Sequence, residues 1–303
     1  SCARAQGHAR VMRLPVHWLL LAPVLLFVGA MAMFPLGYSL VLSFREWKLA
    51  RSPMAGDFVG LSNYINLLTD DPDFLEALRV TGIFVTADVL VTVAVSLVCA
   101  LLLHRAGRLN SLARTLLILP FVMSPALIGI SFRFFLNAEY GVVAHVAGLL
   151  VPPLKDTVWL ADASLSMAAI VASDVWHWAP YMTLVMLGGL ASIPADAIEA
   201  ARIDGASRWR VFCDITFPQL LPVIGVVTVL KTVFGLKAFD TIFTLTNGGP
   251  GNATKTLAFF VYEQGFHYYD MGYAAASAYV LTAVLMVMAG FYLRLIFAKD
   301  RAR

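Results

Sequence analysis

Several groups of residues in this chain could do chemistry. Gly249 to Thr256 reads GPGNATKT. It falls one residue short of G-x-x-x-x-G-K-[ST], a loop whose backbone amides cradle phosphate while its lysine reaches over them. Thr254 stands where the second glycine must let the backbone approach phosphate, and no strand precedes the stretch, so nucleotide binding here is rejected. Asp174 and His177 lie close in sequence, but they have neither metal-ligand spacing nor a nucleophile elbow beside them, and no active site is read from them.

Polar and aromatic groups inside apolar runs remain. A charge at mid-membrane costs roughly 2.5–3.5 kcal/mol on insertion scales, so it faces a cavity or a partner helix. Asp88, Arg133, Lys231 and Lys237 are such charges. Lys231 and Lys237 are six residues apart and do not share a helix face, and Lys237 stands three residues from a possible partner, Asp240. Trp176, Trp178 and Tyr181 fall near the middle of one run, with Pro180 loosening the helix there. Aromatic faces pack against the apolar faces of sugars. Trp176, Trp178, Tyr181, Lys231 and Lys237 are therefore candidates for a substrate pathway. Helix packing and ion pairing explain each of them equally well. The pathway reading expects Trp178→Ala or Lys231→Ala to impair transport without loss of assembly.

The elements that must position these groups are membrane helices. The 303 residues are 60% hydrophobic and only 14% charged, which no soluble domain could cover with polar surface. Apolar runs near 18–44, 79–103, 114–136, 165–190, 219–240 and 274–297 predict six spans in a single transmembrane domain over 1–303. The first run exceeds the roughly 7–15 apolar residues of a signal peptide. Cys2, Cys99 and Cys213 are too scattered for a disulfide framework.

Basic residues orient the spans. One side carries thirteen: Arg4, Arg10, Arg13, Arg105, Arg108, Arg114, Arg202, Arg208, Arg210, Arg294, Lys299, Arg301 and Arg303. The other carries five: Arg45, Lys48, Arg51, Lys155 and Lys255. Both termini and the 191–218 loop are thus expected in the cytoplasm. On the external side, Asp70, Asp71, Pro72 and Asp73 predict a turn opening a short helix.

Within the 191–218 loop, residues 199–222 read EAARIDGASRWRVFCDITFPQLLP. Ser192 and Pro194 predict a helix start, and Asp204-Gly205 a helix end. A second helix is expected from Ser207, with Trp209, Phe212, Ile215 and Thr216 on one face and Pro218 and Pro222 as its bounds. A DNA-reading helix-turn-helix needs a basic face. Asp196, Glu199, Asp204 and Asp214 outnumber Arg202, Arg208 and Arg210, so nucleic acid is rejected as a partner.

This segment resembles the cytoplasmic "EAA" loop of permease subunits of bacterial ATP-binding-cassette importers. The match runs through Glu199, Ala200, Ala201, Asp204, Gly205, Ala206, Phe212, Ile215, Pro218 and Pro222. Gly60 to Leu78, Phe239 to Pro250 and Gly272 to Ala276 are similar to the sugar-permease branch related to the maltose and glycerol-3-phosphate systems. The resemblance implies an all-α type I half-pore in the bacterial inner membrane. Its implied partners are a second, similar permease, two ATP-binding subunits that hold ATP–Mg and hydrolyse it, an external substrate-binding protein, and membrane lipid. It implies no cofactor and no catalysis in this chain. It implies that Glu199, Ala200, Ala201, Asp204, Gly205, Ala206, Trp209 and Phe212 couple to the ATPase, the two aromatic residues as buried anchors. The expected substrate is a sugar or sugar derivative. Glycerol-3-phosphate or its diesters are the alternative, motivated by Lys231, Lys237 and Arg133. An ion-driven secondary transporter would need intramembrane carboxylates, of which Asp88 is the clear one.

Overall fold

The computed structural model describes residues 16–104, 107–150 and 157–300. Cys2, Arg4, Arg10, Arg13, Arg105, Lys155, Arg301 and Arg303 lie outside the described residues.

The described chain is helical. In order it forms α1 (Val16–Ser43), α2 (Ser62–Thr69), α3 (Pro72–Leu103), α4 (Arg108–Leu116), α5 (Ile118–Val122), α6 (Pro125–Phe135), α7 (Val142–Leu150), α8 (Ala163–Ala191), α9 (Ala195–Ile203), α10 (Arg208–Val211), α11 (Phe217–Leu236), α12 (Asp240–Leu245), α13 (Leu257–Tyr262) and α14 (Met271–Asp300). Single π turns over Phe212–Thr216 and Glu263–His267 extend α10 and α13. Four helices are long and apolar enough to cross a membrane, or up to six segments if each of two bent pairs counts as one.

Prolines and caps set these boundaries. Asp71 accepts a hydrogen bond from the Phe74 amide at 3.1 Å, and Pro72 stands in the first turn, a favourable start because that turn has no internal partner for its N–H groups. The acidic turn therefore opens the 32-residue α3 itself, not the short helix expected from sequence, and the second span starts at 72 instead of 79. The expected span at 114–136 is broken. Ser124 caps Pro125 through the Leu127 amide at 3.3 Å, and the halves on either side meet at 96°. Proline disfavours helical backbone in the residue before it, and here Ser124 takes the extended conformation and caps the new helix, so the span breaks at Ser124-Pro125.

Three apolar clusters hold the bundle together. Phe84, Ile170, Leu236, Ile242 and Phe259 join α3, α8, α11, α12 and α13 at its centre. Ala100, Met182, Met186, Leu220 and Val227 join α3, α8 and α11 toward α9. Phe74, Leu67, Leu257, Phe260 and Ala276 close the opposite end. α6 packs on α12 at Gly129, where a Cβ would come within 1.9 Å of Thr244 Oγ1 and 2.9 Å of the Thr241 carbonyl. A hydroxyl can swing away and backbone cannot. Gly129→Ala is expected to lower stability by about 1–3 kcal/mol through overpacking, read as a lower melting temperature of the purified complex in detergent.

The GPGNATKT stretch is consumed by its own packing. The Thr254 hydroxyl donates to the Gly249 carbonyl at 2.7 Å. Lys255 is buried, paired with Glu263, and lies 5.4 Å from the centre of the Phe260 ring. The lysine of the near-match thus points into the fold.

Candidate functional site: a projecting turn and a buried polar cluster

At one end of the bundle α8, α9, α10 and α11 form a continuous path. Ser192 ends α8, its hydroxyl donating to the Gly189 carbonyl at 2.8 Å. It does not open α9, as sequence had predicted, because Pro194 lies between in extended backbone. Asp196 sits in the first turn of α9 and Arg202 in the last, each complementing the helix dipole. Gly205 then adopts φ +78°. Its N–H reaches the Arg202 carbonyl at 3.1 Å, and the Ala206 N–H reaches the Ala201 carbonyl at 2.9 Å. This pair of bonds is the Schellman termination, and it needs a residue that tolerates the left-handed region.

The Ser207 hydroxyl caps α10 through the Arg210 amide at 3.3 Å. The chain does not stop at Pro218 or Pro222 as predicted. It runs unbroken through the π turn into α11, giving one helical rod over Arg208–Leu236. Proline 218 has no N–H to offer the preceding turn, and the wider π turn stands immediately before α11. Glu199, Ala200, Asp204 and Gly205 are exposed, whereas Ala201 and Ala206 are half-buried. Ile203 is 86% exposed and Trp209 73% exposed. Phe212 is half-buried with its ring 5.6 Å from that of Trp209. Two large apolar side chains therefore stand on either side of a rigid turn. Ile203 went unnoticed in the sequence, where a lone isoleucine among charges carries no signal.

The pathway candidates divide into separate groups. Lys231 on α11 is fully buried. It pairs with Asp174 on α8 and lies 2.6 Å from Asp88 on α3, while the Thr92 hydroxyl donates to Asp88 at 3.3 Å. Lys231 thus sits fully buried inside an ion cluster. Lys237 is exposed at the end of α11 and makes no ion pair with Asp240. Arg133 is likewise exposed, in the last turn of α6. The three cations do not gather.

Trp176 and Trp178 lie on opposite faces of α8. Trp176 is 42% exposed and tilts against Phe132. Trp178 stacks on Phe234 at 4.2 Å and 15°, and its ring centre is 5.7 Å from Lys231 Nζ. Tyr181 stacks on Phe121 at 4.8 Å, and Phe121 meets Trp178 edge-on at 5.6 Å. Trp178, Tyr181, Phe121 and Phe234 therefore form one aromatic wall with Trp176 outside it. Each ring pair contributes about 0.5–1.5 kcal/mol beyond area burial. Trp178→Ala is expected to lower the melting temperature as well as transport, and Trp178→Phe to restore both in large part. Lost transport at an unchanged melting temperature would contradict a packing contribution.

An all-helical chain with up to six membrane-crossing segments and a capped helical turn projecting from one end is built as a polytopic permease subunit. The chain belongs to the family of binding-protein-dependent transport system inner membrane components, which its residues 92–302 match. It is 33% identical over 282 residues to a sulfoquinovosyl glycerol transport system permease protein of Agrobacterium fabrum, covering 93% of this chain and 90% of that protein. It is 31% identical over 284 residues to the sn-glycerol-3-phosphate transport system permease protein of the same organism, covering 92% and 94%. Its fold matches a chain of a bacterial alginate ABC transporter solved with an alginate pentasaccharide-bound periplasmic protein. That match has a TM-score of 0.76 and 21% identity, over 91% of this chain and 93% of the other.

Proposed function

We propose that this chain forms half of the membrane pathway of an importer for a sugar or sugar derivative. A second, similar permease supplies the other half, and two partner subunits bind and hydrolyse ATP–Mg. An external binding protein delivers the solute. The chain itself carries no catalytic step. Its termini and the 191–218 loop face the cytoplasm, following the excess of basic residues on that side.

One observation carries this reading. The Glu199–Phe212 segment holds exposed apolar side chains on a capped turn, and this turn is continuous with two bundle helices, α8 and α11. Exposed Ile203 and Trp209 fit burial in a groove of another protein, where an aromatic anchor contributes most of the binding energy. Glu199, Ala200, Ala201, Asp204, Gly205 and Ala206 shape the turn and allow close backbone approach. Trp209 and Phe212 are the anchors, exposed or half-exposed in the isolated chain because their partner is another protein.

A carbohydrate is favoured over a phosphate ester. A phosphate site gathers cations, yet Lys231 is held by two carboxyl groups, and Lys237 and Arg133 stand exposed elsewhere. The relative named for sulfoquinovosyl glycerol transport is as similar as the one named for sn-glycerol-3-phosphate transport. The deciding experiment reconstitutes the chain with its partners in liposomes and profiles ligands of the binding protein. Uptake of a sugar driven by ATP supports the reading. Uptake restricted to phosphate esters overturns the substrate class, and uptake that needs an ion gradient but no ATP overturns the transporter class.

A further inference from the structure

A crevice of about 720 Å³ lies between the projecting turn and the ends of α3 and α8. Apolar side chains from all three, Leu101, Leu190 and Val211 among them, form much of its wall. Its other conspicuous lining residues are Arg202 of α9, Arg208 of α10 and His104, the residue that closes α3. Among the described residues no carboxylate lines it. Neither arginine side chain forms an ion pair or a hydrogen bond among the described residues.

The turn sorts its charges in space. A neighbouring groove of about 210 Å³ holds Arg210 together with Asp204 and Asp214, so that cation has carboxylates beside it. Asp196 and Glu199 line neither opening. Arg208 is also set against a helix dipole. It is the first residue of the 29-residue rod over Arg208–Leu236, and the partial positive charge at a helix N-terminus opposes a cation there. An anion in the crevice would meet both guanidinium groups and the positive end of the rod at once. The location selects the kind of anion. The crevice lies where α3 and α8, both membrane-crossing segments, come to their ends, the level at which lipid headgroups meet hydrocarbon. A free phosphate would satisfy the arginines and leave the apolar wall against water. A phospholipid places its phosphate on the arginines and an acyl chain along that wall, as basic pockets between cytoplasmic helix ends do for anionic headgroups.

We propose that this crevice binds an anionic phospholipid, its phosphate held by Arg202 and Arg208 with His104 as a further polar contact, and that the lipid seats the turn against α3 and α8. Ile203 and Trp209 are outside the lining, so an occupied crevice leaves them exposed for another protein, whereas Phe212 lines it. The site follows from the membrane placement of the helices and goes beyond the transport reading. Its failure would leave that reading standing.

The test titrates the assembled, delipidated complex in detergent with phosphatidylglycerol, or with phosphatidylcholine carrying the same acyl chains. Phosphatidylglycerol at about ten times its dissociation constant is expected to raise the melting temperature by about 2 °C or more. Phosphatidylcholine and inorganic phosphate are expected to give no shift, the first having no net charge and the second no acyl chain. Arg202→Gln combined with Arg208→Gln should weaken phosphatidylglycerol binding at least about tenfold, the factor that one charged hydrogen bond contributes. Arg210→Gln, in the neighbouring groove, should leave that binding unchanged. No shift with phosphatidylglycerol, an equal shift with phosphatidylcholine, or an equal loss in Arg210→Gln would overturn the site. An equal shift with inorganic phosphate would give the crevice to a soluble anion and overturn the lipid. Where the double variant fails to assemble, the two lipids on the wild-type complex decide.

Discussion

Uptake by a complex carrying Gly205→Pro is expected to fall by about 5- to 150-fold, the range that 1–3 kcal/mol of site-to-site coupling spans, while the subunit still inserts and assembles. Gly205 has φ +78°, and proline is locked near −65°. The substitution also deletes the N–H that reaches the Arg202 carbonyl at 3.1 Å. Both effects fall on the turn between Ile203 and Trp209, and neither touches the membrane-spanning bundle. No heavy atom lies within 4 Å of where a Cβ would stand at Gly205, so a side chain there meets a conformational cost and no clash within this chain. Asparagine tolerates the left-handed region, whereas alanine resists it by roughly 1–2 kcal/mol. The series Gly205→Asn, Gly205→Ala, Gly205→Pro should therefore lose uptake in that order. Uptake by the proline variant at the wild-type rate would show that the turn transmits nothing.

Lys231→Met has the second large effect, and it falls on folding before it falls on transport. Removing the ammonium leaves Asp88 and Asp174 buried against each other without a cation. Breaking a buried ion pair in this way costs about 3–5 kcal/mol, a large share of the 5–15 kcal/mol that holds a typical domain folded. Little assembled complex should survive, as judged by size-exclusion chromatography of detergent extracts. Adding Asp88→Asn and Asp174→Asn removes the unpaired charges and should bring the assembled complex back. The sequence reading expected Lys231→Ala to spare assembly, because a lysine in an apolar run looked like a pathway residue. Full burial between two carboxyls reverses that expectation. A lone Lys231→Met variant that assembles at wild-type levels would mean that the cluster is hydrated or that its carboxyls are already neutral.

Much of the architecture was legible from residue types alone. Apolar runs long enough to cross a bilayer marked the helices, since a membrane tolerates no exposed backbone polar groups. The Asp204-Gly205 pair marked a helix end, and Ser207 marked the next start, because caps and left-handed glycines are local chemistry. Helix continuity was harder to read. Pro218 and Pro222 have the look of boundaries, yet the rod continues through both, with a π turn immediately before Phe217-Pro218 and Pro222 inside the helix. Asp71-Pro72 looked like the start of a short helix and proved to be the start of a long one. How far a helix runs past its cap depends on what it packs against.

The sequence by itself determined a membrane-embedded helical chain and the place of its turn segment, while the permease reading came from the resemblance of that segment to a known family. The first two follow from hydropathy, spacing and local backbone preference, which act over a few residues. Only the tertiary structure decided which charges meet. Asp88, Asp174 and Lys231 are separated by 86 and 57 positions along the chain, the second recorded as the span of the Lys231–Asp174 bond, and no periodicity connects them. The structure likewise split Trp176 from Trp178 and left Lys237 and Arg133 outside the cluster. Pairing across helices is set by which faces the packed bundle turns inward, and a buried charge must find its partner there because hydrocarbon offers no water to replace it.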